Sequence, residues 1–103
     1  MSKRSKACDI SSTVRNTVLK RDNYSCIICG RYEIQIAHYV SRARGGLGIP
    51  ENLVCLCPQC HYQYDNGRLH NEIKKVIEDY LRQHYPNWDN KKLFYSKWGN
   101  EIV

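Results

Sequence analysis

Two cysteine pairs constrain this chain more than any other feature. Cys26-x-x-Cys29 and Cys57-x-x-Cys60 are separated by 27 residues in a chain of 103. Each pair offers two thiolates from one tight turn, and two such pairs complete a tetrahedron around a single ion. Zinc favours this closed four-sulfur arrangement for structural sites. Neither pair reads as a strand–CxxC–helix redox unit. Disulfides would need an oxidising compartment. The start of the chain, Met1-Ser2-Lys3-Arg4-Ser5-Lys6, leads into no apolar stretch of the kind a secretory signal carries. The expectation is a reducing compartment and one structural zinc on Cys26, Cys29, Cys57 and Cys60.

A staple suits the length. A single domain of this size buries only about two-thirds of its unfolded surface, and metal binding adds folding free energy that a small core lacks. No run of about 18 apolar residues is present, so no membrane-spanning helix and no membrane partner are expected. The formal charge is +6. Residues 1–31 hold seven basic and two acidic residues, so most of the excess lies near the N-terminus. Four thiolates and one Zn²⁺ would lower the total by two, to +4, which is still a charge that attracts polyanions such as nucleic acid.

Local signals divide the chain into a flexible basic N-terminus (1–10), a domain (11–85) and an aromatic-rich tail (86–103) containing Trp88, Phe94, Tyr95 and Trp98. Ser11, Ser12 and Thr13 offer helix caps, and Val14, Val18 and Leu19 follow at helical spacing, giving a helix over about 13–21. Alternation from Ile34 to His38 predicts a strand, and the apolar run Leu53–Leu56 a second. The glycines and proline of 41–50 predict a loop between them. Pro58 suits a first helical turn and Asn66-Gly67 its end, so a short helix spans 58–66. A long amphipathic helix covers 71–85, with Ile73, Val76, Ile77, Tyr80, Leu81 and His84 on one face. The domain core is then 24–67, and the fold class is a small α+β domain. Cys55 reads as a small packed hydrophobe, Cys8 has no evident role, His70 and His84 read as structural, and Tyr62 and Tyr64 as packed on neighbours.

A second constellation overlaps the first. His38 ends the first strand, and Asn52 precedes the second. His61 directly follows Cys60, and Asp65 lies four residues on. On a helix His61 and Asp65 share a face. Cys60 is rotated from His61 by about 100°, so it can point at zinc while His61 points elsewhere. An imidazole and a carboxylate can hold a hard divalent ion, and His38 could act on water as a general base. A metal beside phosphate and a base beside water suffice for phosphodiester hydrolysis.

These ordered residues resemble the HNH endonucleases, in particular their zinc-containing McrA-like and phage-type members. The resemblance runs from about residue 13 to 67 and rests on Cys26-x2-Cys29, Ala37-His38-Tyr39, Gly45-Gly46, Glu51-Asn52-Leu53 and Leu56-Cys57-Pro58-Gln59-Cys60-His61. It implies a ββα-metal core around one catalytic divalent cation, Mg²⁺, Mn²⁺ or Ni²⁺, and products with 5′-phosphates. By the same resemblance His38 is the general base, Asn52 steadies the loop between the strands, and His61 binds the catalytic metal. Many members carry Asp or His just before the base as a further ligand. Here that position is Ala37, and Asp65 is the candidate replacement.

The expected partner is DNA, double-stranded, in the cytoplasm of a bacterial cell or phage-infected host. A homodimer or a larger phage or restriction assembly fits so small a domain. Arg42 and Arg44, flanking the glycines, and Lys20 and Arg21, on the first helix, are candidate DNA contacts, with Lys3, Arg4, Lys6 and Arg15 extending that surface. The alternative is a zinc-stabilised DNA-binding module without catalysis, which Ala37 keeps open. A zinc-dependent protein-interaction module accounts for the cysteines but not for His38, Asn52 and His61 in order.

Overall fold

The protein is described by a computed structural model over residues 3–95. In chain order these residues form α1 (Lys3–Cys8), α2 (Ser12–Arg21), β1 (Gln35–His38), β2 (Leu53–Leu56), α3 (Pro58–Asn66) and α4 (His70–His84). Single 3₁₀ turns occur at Arg42–Arg44, Pro50–Asn52 and Asn90–Lys92. Trp98 lies outside the described residues, so the reading of the tail applies to Trp88, Phe94 and Tyr95.

The caps obey their local chemistry. Extended Ser11 accepts the Val14 amide at 3.1 Å and starts α2. Cys57 caps α3, its sulfur taking the Cys60 amide at 3.4 Å, with Pro58 in the first turn. Strands β1 and β2 pair antiparallel, with Ala37 opposite Val54 and His38 opposite Leu53. All four residues of β2 are buried. The ββα unit is therefore a hairpin covered by α3, with α4 packed against α3.

One core lies between the hairpin, α3 and α4, and includes Ala37, Val54, Leu56, Tyr64, Ile73, Ile77, Leu81 and Leu93. A second joins Val18 of α2 to Leu53 and Cys55. Cys55 is thus the packed hydrophobe expected, and burial pushes its thiol up to about 12. The buried face of α4 is narrower than its sequence suggests: Ile73, Ile77 and Leu81 are buried, whereas Val76 is 45% exposed. Tyr64 packs inward and donates to the Tyr39 carbonyl at 2.6 Å, but Tyr62 is 61% exposed and does not pack as expected. Two residues apart on a helix is a rotation of about 200°, which sends the two rings to opposite sides.

The N-terminus departs most from its expectation. Residues 3–8 are helical and Cys8 is buried. A six-residue helix has little stability alone; tertiary contacts hold this one. Arg4 donates to the Ala43 carbonyl, and the Gly48 amide donates to the Ala7 carbonyl at 2.9 Å. A Cβ on Gly48 would lie 2.1 Å from the Asp9 carbonyl oxygen, and one on Gly46 would lie 1.6 Å from that of Val40. Gly46 and Gly48 admit the close approach of the protein's own backbone.

Candidate active site and zinc centre

The four cysteines converge, their sulfurs all lying within 4.8 Å of one another. Tetrahedral zinc with Zn–S of about 2.3 Å places sulfurs ~3.8 Å apart, a spacing close to that of these four. Gly30, at φ +80°, completes the first turn, and its amide donates to the Cys26 carbonyl at 2.9 Å. The Ile28 amide donates to the Cys26 sulfur at 3.4 Å. Burial pushes the Cys26 thiol up, yet backbone hydrogen bonds, led by that of Cys29, outweigh it and bring the thiol down to about 7. Arg31 donates to Gln59, tying one turn to the other. The second pair does follow a strand and open a helix, a redox-like local layout that the sequence reading passed over. The two cysteines of the first pair beside it make it half of a four-sulfur site instead.

On α3 the residue after Cys60 faces a different space. His38, His61 and Asp65 line one cleft of about 350 Å³ together with Ile10, Ile36 and Arg42. His61 Nε2 lies 3.3 Å from an Asp65 oxygen, as their i, i+4 spacing requires. His61 Nδ1 lies 2.7 Å from the Gln35 side-chain oxygen, which only accepts. The proton is therefore on Nδ1, and Nε2 turns a lone pair toward the carboxylate. A cation or a proton between these two atoms satisfies both. Among the described residues no third such ligand joins them, the cysteines being the one group of three or more close enough to hold an ion. A hard divalent ion here would have two protein ligands and keep its other positions for water and phosphate.

His38 is half-buried beside this pair. Its Nε2 lies 3.0 Å from the Cys8 carbonyl oxygen. A carbonyl accepts only, so Nε2 carries the proton and Nδ1 is the free base. Burial, with Arg42 and His61 nearby, holds this imidazole below the usual histidine range, against the opposing pull of the Cys8 carbonyl and Asp65. Arg42 donates to the same Cys8 carbonyl at 2.8 Å and pairs with Asp9 at 2.6 Å. Cys8, without a role in the sequence reading, supplies the atom that orients His38. No side-chain signal could have revealed a backbone carbonyl.

Asn52 is fully buried and cannot touch a substrate. Its amide nitrogen donates to the Val40 and Leu47 carbonyls at 3.1 and 2.8 Å, and its oxygen accepts the Val40 amide at 2.8 Å. It is a positioning residue that closes the loop behind His38. Ala37, alternating with His38 along β1, is buried in the main core.

Arg21 is not a surface cation. Its side chain is 8% exposed and pairs with buried Asp22 at 2.7 Å, while donating to the Pro50 and Leu53 carbonyls and to Tyr85. Asp22 also accepts from the Cys55 amide at 2.9 Å and from Tyr80. The pair ties α2 to β2 and α4, which removes Arg21 from the DNA-contact set. Lys20 is exposed on α2 but does not line the cleft. Arg44 faces a neighbouring cavity, its guanidinium 5.6 Å from the Phe94 ring.

The chain is similar to known proteins. Residues 26–67 match the sequence profile of the family described as HNH endonuclease. Anaredoxin of Nostoc sp. is 29% identical over 56 residues, which cover 52% of this chain and 74% of that protein. The Type IV phosphorothioation-dependent restriction endonuclease ScoMcrA superposes with a TM-score of 0.61 and 26% identity over 72% of this chain. The matched part is 19% of that enzyme, so the chain spans about a fifth of its length. The fold these findings define is a small α+β domain whose ββα unit is similar to that of HNH proteins, with a four-cysteine cluster that could bind zinc. Over residues 26–67 the chain is similar to the HNH endonuclease family.

Proposed function

We propose that the protein is a metal-dependent endonuclease that hydrolyses DNA phosphodiester bonds. The observation that carries this reading is the single cleft lined by His38, His61 and Asp65, with Arg42 at its wall. His38 Nδ1 takes the proton from the attacking water, while the Cys8 carbonyl holds Nε2–H and fixes the ring. The depressed basicity of His38 keeps it neutral and ready to accept at neutral pH. Water oxygen bonds to phosphorus as the bond to the 3′-oxygen breaks, and that oxygen takes a proton from solvent, leaving a 5′-phosphate and a 3′-hydroxyl. A divalent cation held by His61 and Asp65 would supply charge stabilisation at the phosphate and the leaving oxygen. Gln35 orients His61 toward that ligand position. Arg42, anchored through Cys8 and Asp9, is placed to meet a phosphate oxygen. Double-stranded DNA in the bacterial cytoplasm is the proposed setting, and zinc in the cysteine centre is the structural cofactor.

A second reading is a zinc-stabilised DNA-binding module without hydrolysis. The burial of Ala37 favours it, because a position that supplies a ligand in many relatives supplies none here. Supercoiled plasmid separates the two. Cleavage that needs added Mg²⁺, Mn²⁺ or Ni²⁺ and drops by about 100-fold or more in His38→Ala, the range of a lost general base, supports the nuclease. Zinc-loaded protein that shifts DNA at low salt but cuts under no metal overturns it in favour of the module.

A further inference from the structure

A second cavity adjoins the cleft, and the proposed hydrolysis makes no use of it. It measures about 270 Å³, and its walls include Arg44, Tyr64, His70, Lys74 and Phe94. Ser41 and Asp65 line both spaces, so they form a shared ridge between them.

The chemistry of this cavity is unbalanced. Arg44 and Lys74 both line it, and neither has an ion pair among the described residues. The next lysine, Lys75, by contrast pairs with Asp79 at 3.0 Å. The cavity's one carboxylate, Asp65, is engaged by His61. Arg44 is held in position: its guanidinium lies 5.6 Å from the Phe94 ring. Phe94 is itself fixed by its bridge to Gly46 and by the neighbouring hydrogen bonds from Leu47 to Leu93 at 2.9 Å and from Tyr95 to Gly45 at 2.7 Å. His70 is committed as well, Nδ1 donating to the Tyr64 carbonyl at 2.5 Å with the ring stacked on Tyr64. What remains free is a forked guanidinium and an ammonium with no counter-ion, in a concave site one ridge away from the cleft. Lys74 and Phe94 lie outside the residues matched by the family profile.

We infer that this cavity is a second phosphate subsite, in which Arg44 and Lys74 hold a DNA backbone phosphate adjacent to the one in the cleft. The inference rests on the nuclease reading for what occupies the cleft, but not for its test. The strand passes over Ser41 and Asp65, and its next phosphate meets the two free cations. Such contacts fix register and carry no base readout.

Binding of a fluorescent DNA duplex to zinc-loaded protein, without added catalytic metal, reads the subsite directly as the slope of log affinity against log salt. Each neutralised phosphate contributes about 0.9 to that slope. Lys74→Ala and Arg44→Ala should each lower the slope, by about one when combined, and weaken binding to all sequences alike. Lys75→Ala, one residue away and already paired, should leave it unchanged. Zinc content and far-UV circular dichroism verify the fold, and Lys74→Gln repeats the test with a polar side chain of similar reach. A wild-type slope in both Lys74 variants overturns the subsite while leaving the nuclease reading intact. A protein that binds but never cleaves overturns the nuclease and leaves the subsite standing. A wild type that binds no DNA at low salt overturns both.

Discussion

Cys60 and His61 are consecutive on α3, yet they serve two sites of opposite design. The cysteine centre gathers four sulfurs within 4.8 Å, enough to fill a tetrahedron with protein atoms alone. The cleft brings His61 and Asp65 to 3.3 Å and stops there. A saturated site holds its ion as part of the fold, whereas a site with two ligands leaves coordination positions for water and substrate. The rotation of about 100° per residue lets one helix build both. On the proposed reading, coordination number, more than ligand type, separates the stabilising half of this domain from the reactive half.

The comparison can be broken most forcefully on the cysteine side. Cys57→Ser removes a fully buried sulfur of the four-cysteine cluster and the cap of α3 together. Structural zinc in small domains is worth on the order of 10 kcal/mol or more, so this variant should be unfolded at 25 °C, with no zinc by metal analysis and no cooperative thermal transition. A folded, zinc-free variant would show that the knot is not what holds the domain. A smaller effect is expected from the cleft. Gln35→Ala frees the His61 ring and should raise the metal concentration needed for half-maximal cleavage by about 10- to 100-fold, the cost of losing a ligand's supporting partner. Asp65→Asn should do at least as much, and both should keep full zinc content. Cleavage by Asp65→Asn equal to wild type at limiting metal would remove Asp65 from the ligand set.

The smallest effect sharpens the electrostatics. Protonated His38 cannot accept a proton, so cleavage should fall as pH drops through its pKa, and burial with Arg42 holds that pKa below the ordinary histidine value. Removing the neighbouring positive charge in Arg42→Gln should move the acid limb of the pH–rate profile upward, whatever it does to overall rate. A limb that stays in place would mean that another group governs it.

The two sites were not equally legible in the sequence. The convergence of the four cysteines was fully so, because two CxxC turns carry their chemistry in local spacing. The helix over 58–66 was read to its ends from Pro58 and Gly67. The order of His38, Asn52 and His61 gave the cleft two of its residues, His38 and His61, and the i, i+4 rule gave Asp65. What escaped depends on tertiary contact. The Cys8 carbonyl that orients His38 is a backbone atom on a helix too short to announce itself. Arg21 looked like a surface cation on α2 until Asp22, Pro50, Leu53 and Tyr85 were seen around it. Gln35 and Lys74 are ordinary polar residues in the linear chain, and only folding sets them beside His61 and Arg44.

The most direct measurement is made on His61→Ala, with zinc content, thermal unfolding and plasmid cleavage determined on one preparation. This account predicts one zinc per chain, a thermal midpoint close to wild type and cleavage reduced by about 100-fold or more, in line with losing a group that acts on the reacting phosphate. Full cleavage with zinc intact would contradict it, because the residue beside Cys60 would then have no part in the chemistry. Loss of zinc together with cleavage would contradict it in the other direction, merging the two sites into one.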